Sequence, residues 1–269
     1  MSAPTPARLF GDGDIPWDRE VVARVISLGA GVQSTALVLL AVNGELQADV
    51  AIFADTQAEP PWVYEHLWRL ALFCAERDFP IVVVTRGSLE AEIATGAPGL
   101  PLHAIADSGK PFLFPRWCTA NFKITPIYRE IRRRFRPKPR TEGVDVMLGI
   151  SVDEITRAKP ARVRWARNRF PLLDLGWDRA DCLAYCEANG FRPASSSCFF
   201  CPFHSVEEWL RLPSELRKRA IEVDETVRRR WPSTFLTSRR IPLRDLYAGA
   251  ACGDLVDLKQ GECEGYCFL

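Results

Sequence analysis

The chain has no apolar run approaching the roughly 20 residues that a membrane span needs. Its opening segment, Met1 to Asp18, is rich in Pro, Gly and small residues and lacks the charged start and apolar centre of a signal peptide. Net charge is almost absent, +1 over 269 residues, which argues against a dedicated nucleic-acid binder and leaves polyanion contacts to local clusters. Internal repeats and low-complexity tracts are lacking too. Two common phosphate-loop signatures are missing: no glycine loop ends in Gly-Lys-Ser/Thr, and none has the spacing Gly-x-Gly-x-x-Gly. These absences point to a cytoplasmic globular protein with a flexible N-terminal arm over residues 1–20.

What is present suffices for a sizeable core, since 47% of the residues are hydrophobic. The chain is organised around Arg24-Val-Ile-Ser-Leu-Gly-Ala-Gly-Val-Gln-Ser-Thr-Ala-Leu37. Val25, Ile26 and Leu28 read as a short buried strand. Gly29 and Gly31 read as a loop needing unusual torsions or close approach. Ser34 and Thr35 open a helix that Ala36 to Ala41 continue. Such a loop aims backbone N–H groups and the positive helix end at one point, which suits a phosphate or sulfate. Two glycines alone would suit an ordinary strand-to-helix turn. The hydroxyls of Ser27, Ser34 and Thr35 favour the anion site.

Residues 49–55 read as a second strand ending in an acid. Residues 61–77 show helical apolar spacing at Val63, Leu67, Leu70, Ala71 and Cys74, and 80–85 read as a third strand. That alternation implies an α/β fold, a Rossmann-like parallel sheet with helices on both faces. Right-handed crossovers bring Asp55-Thr56 and Thr85-Arg86 to the carboxyl edge beside the glycine loop. Asp55 suits a helix cap as well as a ligand role. Residues 87–115 read as an irregular lid or insertion. Then come a helix over 126–135 and a strand over 144–150, with Ser151 to Arg157 on the active edge. A strand or hairpin over 163–175 and a helix over 178–189 follow. Cys74, Cys182 and Cys186 fall among core positions. The expected domains are 21–190, a nucleotide-binding α/β domain, and 191–269, a Cys-rich helical C-terminal extension packed on it.

Charge is clustered despite the balance. Arg132, Arg133, Arg134, Arg136, Lys138 and Arg140 form one run, and Arg162, Arg164, Arg167 and Arg169 another; both suit phosphate contacts. Arg228 to Arg230 read as a solvated helix face. Nine cysteines point to metal or redox chemistry rather than structural disulfides. Cys198-Phe-Phe-Cys201 suits two ligands of one metal or cluster, a redox pair, or packing beside Phe199 and Phe200. Cys118, Cys263 and Cys267 are the candidate partners. That count covers a four-thiolate site with one sulfur to spare, and zinc fits it as well as iron and sulfur.

The loop Gly29-Ala30-Gly31-Val32-Gln33-Ser34 resembles the PP-loop of adenine-nucleotide enzymes. With Ser27-Leu28-Gly29 and Gln33 it is closest to the Ser-Phe-Gly-x-Gln form of the phosphoadenosine phosphosulfate (PAPS) reductase family. Cys118-x4-Lys123-x2-Pro126 followed by Cys198-x-x-Cys201 resembles the [4Fe-4S] pattern of adenosine phosphosulfate (APS) reductases, with Thr119 in place of one cysteine. Asp55-Thr56, the segment Gly149 to Arg157, and Gly261-Glu262-Cys263 resemble further family motifs. The resemblance implies a PP-loop, adenine nucleotide alpha hydrolase-like fold. In it Ser27, Gly29, Gly31, Gln33, Ser34, Thr35, Asp55, Thr56 and Gly149 bind the nucleotide. Cys118, Cys198 and Cys201 hold a [4Fe-4S] cluster whose fourth ligand is Cys267, Cys263, a substrate or a sulfide, and Cys263, Arg157 and Glu154 act in catalysis. Asp55 or Glu154 is the candidate for Mg2+.

Three functions fit these residues. The first is ATP-dependent sulfur transfer to a nucleic acid, with tRNA or DNA as candidate acceptor, or to a small molecule. The second is a sulfonucleotide reductase that releases sulfite from APS or PAPS with Cys263 as nucleophile. The third is a non-catalytic nucleotide-binding module with a zinc site. The expected partners are an adenine nucleotide and a sulfur donor or thiol-reductant protein, with a homodimer as candidate assembly and no membrane.

Overall fold

The computed structural model describes residues 17–96, 99–138 and 140–252. In chain order the elements are β1 (Glu20–Leu28), α1 (Val32–Val42), β2 (Val50–Asp55), α2 (Pro61–Ala75), β3 (Ile81–Thr85) and α3 (Leu89–Ala94). Next come β4 (His103–Ile105), β5 (Pro111–Leu113), a π-helical turn (Thr119–Ile124), α4 (Thr125–Phe135), β6 (Glu142–Leu148) and a 3-10 turn (Val152–Arg157). The chain continues through β7 (Ala166–Arg169), α5 (Pro171–Leu175), α6 (Arg179–Ala188), α7 (Val206–Arg211), α8 (Ser214–Arg230), β8 (Thr234–Phe235) and α9 (Leu243–Cys252). The chain divides into two units. Of the described residues, one holds 17–54, Pro61–Val84 and Pro126–Ser196, and the other holds Asp55–Pro60, Thr85–Thr125 and 197–252. The expected single domain over 21–190 differs from this division, because 55–60 and 85–125 group with the C-terminal region.

In the first unit, side-chain alternation along each strand sorts the apolar residues onto two faces. The sheet runs β3-β2-β1-β6-β7, and β1 pairs in parallel with both β2 and β6. Ile26, Leu28, Ala51, Phe53 and Met147 pack with Leu37 of α1, Leu70 of α2, and Cys182 and Cys186 of α6. Ala23, Val25, Val50, Ile52, Val144 and Val146 pack on the opposite face with Ile127 and Ile131 of α4. Both faces are covered, so β2 carries a continuous buried run over Val50 to Ala54. Each fully buried Leu, Ile, Val or Phe contributes about 1.5–3 kcal/mol. Burial pushes the Cys74 thiol up to about 11 and those of Cys182 and Cys186 to about 12, which makes them inert core residues.

Two local expectations change. Residues 163–175 form β7 followed by a short helix, because Pro171 starts α5 and Gly176, at φ 70°, ends it. Residues 87–115 are more regular than their glycines and prolines suggest. In the second unit Ser88 caps α3 by accepting from Ala91 N–H at 3.2 Å, with Glu90 and Glu92 in the first turn. β4 pairs antiparallel with β5 and β8. Buried Asp224 of α8 accepts from the N–H groups of Leu236 and Leu243, tying that helix to the chain beyond it.

Candidate phosphate loop and cysteine turn

Strand order reverses between β1 and β6, and ligands bind at such a switch point in open α/β sheets. The loop after β1 lies there. Its left-handed residue is Ala30, at φ 58°, rather than either glycine. A left-handed alanine costs about 1–2 kcal/mol, strain of the kind stored at functional loops. Gly31 and Gly149 are needed for space. A Cβ on Gly31 would stand 2.7 Å from Ser196 Oγ, and one on Gly149 would stand 2.8 Å from Ser34 N. The loop after β6 therefore presses against the first turn of α1. Gly29 has room for a side chain, with its nearest contact at 3.7 Å.

No side chain caps α1, and no acid lies in its first turn. Its leading N–H groups and the positive helix end are left for an anion. Ser34 closes the loop from within: its hydroxyl accepts from Gly29 N–H at 3.1 Å and donates to Gly31 O at 3.2 Å. Gln33 bridges neighbouring segments, donating to Ser151 Oγ and Glu154 Oε2 at 3.4 Å each and accepting from Arg179 at 3.2 Å. Glu154 also pairs with buried Arg157. The loop thus gathers Gln33, Ser34, Gly149, Glu154 and Arg157, together with Arg179, which sequence reasoning missed. Ser27 is half-buried near the end of β1 and pairs in register with Ile52 and Leu148.

Thr35 turns inward. It is fully buried, and its hydroxyl lies 2.9 Å from His66 Nε2 on α2. Burial, then the nearby Arg69 charge, lowers His66 to about 4, so the ring is neutral near pH 7. One signal could have found this pair: His66 falls on the apolar stripe of Val63, Leu67 and Leu70, where a polar residue needs a partner.

The second unit holds the cysteine turn. Cys201 N–H donates to Cys198 O at 3.0 Å, and His204 N–H to Cys201 O at 3.0 Å. Thr56, read from sequence as a nucleotide contact, is buried in this unit. Its hydroxyl lies 3.2 Å from Glu59 Oε1 and 3.4 Å from Cys198 Sγ. Lys123 pairs with Glu59 at 3.2 Å; the Lys123 side chain keeps 24% exposure and that of Glu59 none. Burial works against the Lys123 ammonium, but Glu59, Cys198 and Cys201 outweigh it and hold its pKa above the usual range. Burial, then the Glu59 charge, pushes the Cys198 thiol up. Asp55 accepts from Gln57 N–H at 2.7 Å, a turn contact in the same unit. Cys118 is half-buried there and donates its N–H to Gly99 O at 2.7 Å. Cys263 and Cys267 lie outside the described residues.

The donor chemistry suits a thiolate-bound centre. One turn carries two sulfurs, an ammonium stands beside them to offset their charge, and buried Glu59 Oε2 has no hydrogen-bond partner. Among the described residues no group of three or more His, Cys, Asp or Glu side chains is arranged to hold a metal ion. Of the further ligands expected from the sequence, Cys118 lies in the same unit and Cys263 and Cys267 lie outside the described residues.

No family model matches the chain, and no curated protein matches it. Two solved structures show a distant likeness. A PAPS reductase from Candida auris, in complex with phosphate, is 14% identical over 64% of this chain and 74% of its own, with a TM-score of 0.42. The U34-tRNA thiolase NcsA from Methanococcus maripaludis, with its [4Fe-4S] cluster, is 14% identical over 93% of this chain and 82% of its own, with a TM-score of 0.41.

Proposed function

We propose that the chain is an ATP-dependent sulfur-transfer enzyme with nucleotide chemistry on the first unit and thiol chemistry on the second. One observation carries the reading. The first turn of α1 has no side-chain cap at the switch point of a parallel sheet, and Arg157 and Arg179 belong to its polar network. A nucleotide's phosphates satisfy those N–H groups. Arg157 and Arg179 offset charge on the departing pyrophosphate when the acceptor attacks the α-phosphorus. Glu154 in the first unit, or Asp55 in the second, is the candidate magnesium ligand.

The cysteines carry the sulfur step. Cys118, Cys198 and Cys201 are the residues that would hold three irons of a [4Fe-4S] cluster, and the fourth iron, if not held by Cys267 or Cys263, would be the site for sulfide. Lys123 offsets thiolate charge, and the Thr56 hydroxyl lies within hydrogen-bond reach of Cys198 Sγ. Anaerobic purification with iron, zinc and sulfide analysis tests this part. About four irons per chain are expected, with loss in Cys198→Ala and retention in Cys182→Ala. One zinc and no iron would overturn the cluster. Sulfite released from APS or PAPS, with no turnover of ATP, would replace the reading by the reductase reaction of Cys263.

A further inference from the structure

A face of the first unit carries more positive charge than its own acids neutralise. In α4, Arg129, Arg132 and Arg133 follow the spacing i, i+3, i+4, which places them on one side of the helix, and Arg136 follows directly after its last residue. Pro126, Ile127, Glu130 and Ile131 take the buried side. Beside α4, Tyr128 packs edge-on against Trp165 with ring centroids 5.2 Å apart. That contact brings the segment carrying Arg162 and Arg164 alongside the helix.

The cations sort into two groups. Arg133 and Arg134 pair with Glu130, Lys138 with Glu142, and Arg167 with Asp145. Arg129, Arg132, Arg136, Arg140, Arg162 and Arg164 are all exposed and have no acid partner among the described residues. Six exposed like charges gathered on one face raise the local positive potential and attract an anionic partner. Arg136 occupies the position after α4 at φ 45°, where glycine is the unstrained choice.

We propose that this face seats the phosphodiester backbone of a polynucleotide. Guanidinium groups suit phosphate oxygens, and one turn of α4 spaces successive arginines by about 5.4 Å along an extended run of charge. An anionic membrane is the less suitable partner, because none of the exposed large apolar side chains lies within α4 or residues 158–165. The inference rests on the sulfur-transfer reading only in making the bound polynucleotide the sulfur acceptor.

Fluorescence anisotropy with the full-length protein tests it, using a labelled RNA hairpin, a 20-base-pair DNA duplex and vesicles of 3:1 phosphatidylcholine to phosphatidylserine, the probe lengths and ratio being roughly chosen to span several phosphate contacts. Binding to at least one polynucleotide is expected, with log K falling linearly in log salt by about 0.9 per duplex phosphate contact. Which one binds more tightly identifies the acceptor class. Arg129→Ala/Arg132→Ala/Arg136→Ala should weaken binding about 10- to 100-fold and flatten the salt slope. Arg162→Ala/Arg164→Ala should do the same to a smaller degree, without touching α4. The charge-matched control Lys218→Ala/Arg229→Ala, in α8, should change nothing. Unchanged affinity and slope in both arginine variants would overturn the proposal, as would binding to vesicles alone. ATP binding, measured in parallel, separates the two readings. Its absence with intact polynucleotide binding defeats the sulfur-transfer reading and leaves this face standing.

Discussion

The glycine loop and the cysteine turn use polar groups in opposite ways. In the loop, the side chains are already occupied: Ser34 bonds to its own loop, Gln33 to Ser151, Glu154 and Arg179, and Thr35 to His66. What remains for a ligand is backbone, the uncapped first turn of α1. In the turn, the backbone is engaged and the side chains carry the chemistry: two thiols, a buried carboxylate and an ammonium. A phosphate site can be built from N–H groups with side chains as scaffold, whereas a thiolate site cannot.

The largest expected effect sharpens the second half of that contrast. Lys123→Met leaves Glu59 as an uncompensated buried charge and should cost about 3–5 kcal/mol, measured by urea unfolding. Glu59→Gln/Lys123→Met removes both charges and should recover most of the loss. A double variant as unstable as the single would show that packing, not charge, is at stake. Next is Gly149→Ala, whose Cβ would strike the backbone of Gln33 and Ser34. It should destabilise by about 1–3 kcal/mol and lower ATP affinity at least tenfold, whereas Gly29→Ala should be mild.

A smaller effect is expected from His66. Its folded pKa, about 4, lies below the ordinary histidine value of 6.5. The unfolded chain binds the extra proton between those values, so the contribution is full above pH 6.5 and is lost as pH falls toward 4. His66→Gln should make stability less steep in that window, seen as a smaller change in melting temperature. The smallest is Ala30→Gly. Relief of left-handed strain and the added entropy of the unfolded chain oppose each other, leaving a net gain under about 1 kcal/mol. A large loss would mean that the Ala30 methyl, 1% exposed as a residue, is a packing element.

The sheet was legible because its signal is local. The apolar run of β1, the continuous buried run in β2 and the helical stripe on α2 can each be read from a few neighbouring residues. Gly31 and Gly149 stand out in the sequence as glycines, but what requires glycine at each is spatial. Close approach to Ser196 and to the first turn of α1 is a contact between distant segments, which spacing cannot show. The same holds for Glu59 beside Lys123 and for Arg179 on Gln33. Thr35 was misread for a subtler reason: its place at a helix start suits a phosphate, but its side chain lies on the buried face of α1. The Ser88 cap of α3 was not read from the sequence, where the surrounding glycines and prolines suggested an irregular segment.

Hydrogen–deuterium exchange of the full-length protein, with and without ATP, tests the central claim most directly. The account predicts slowed exchange in peptides covering residues 29–36, with no change over 198–204. Protection confined to other segments, or none at saturating ATP, would contradict a phosphate site at the start of α1.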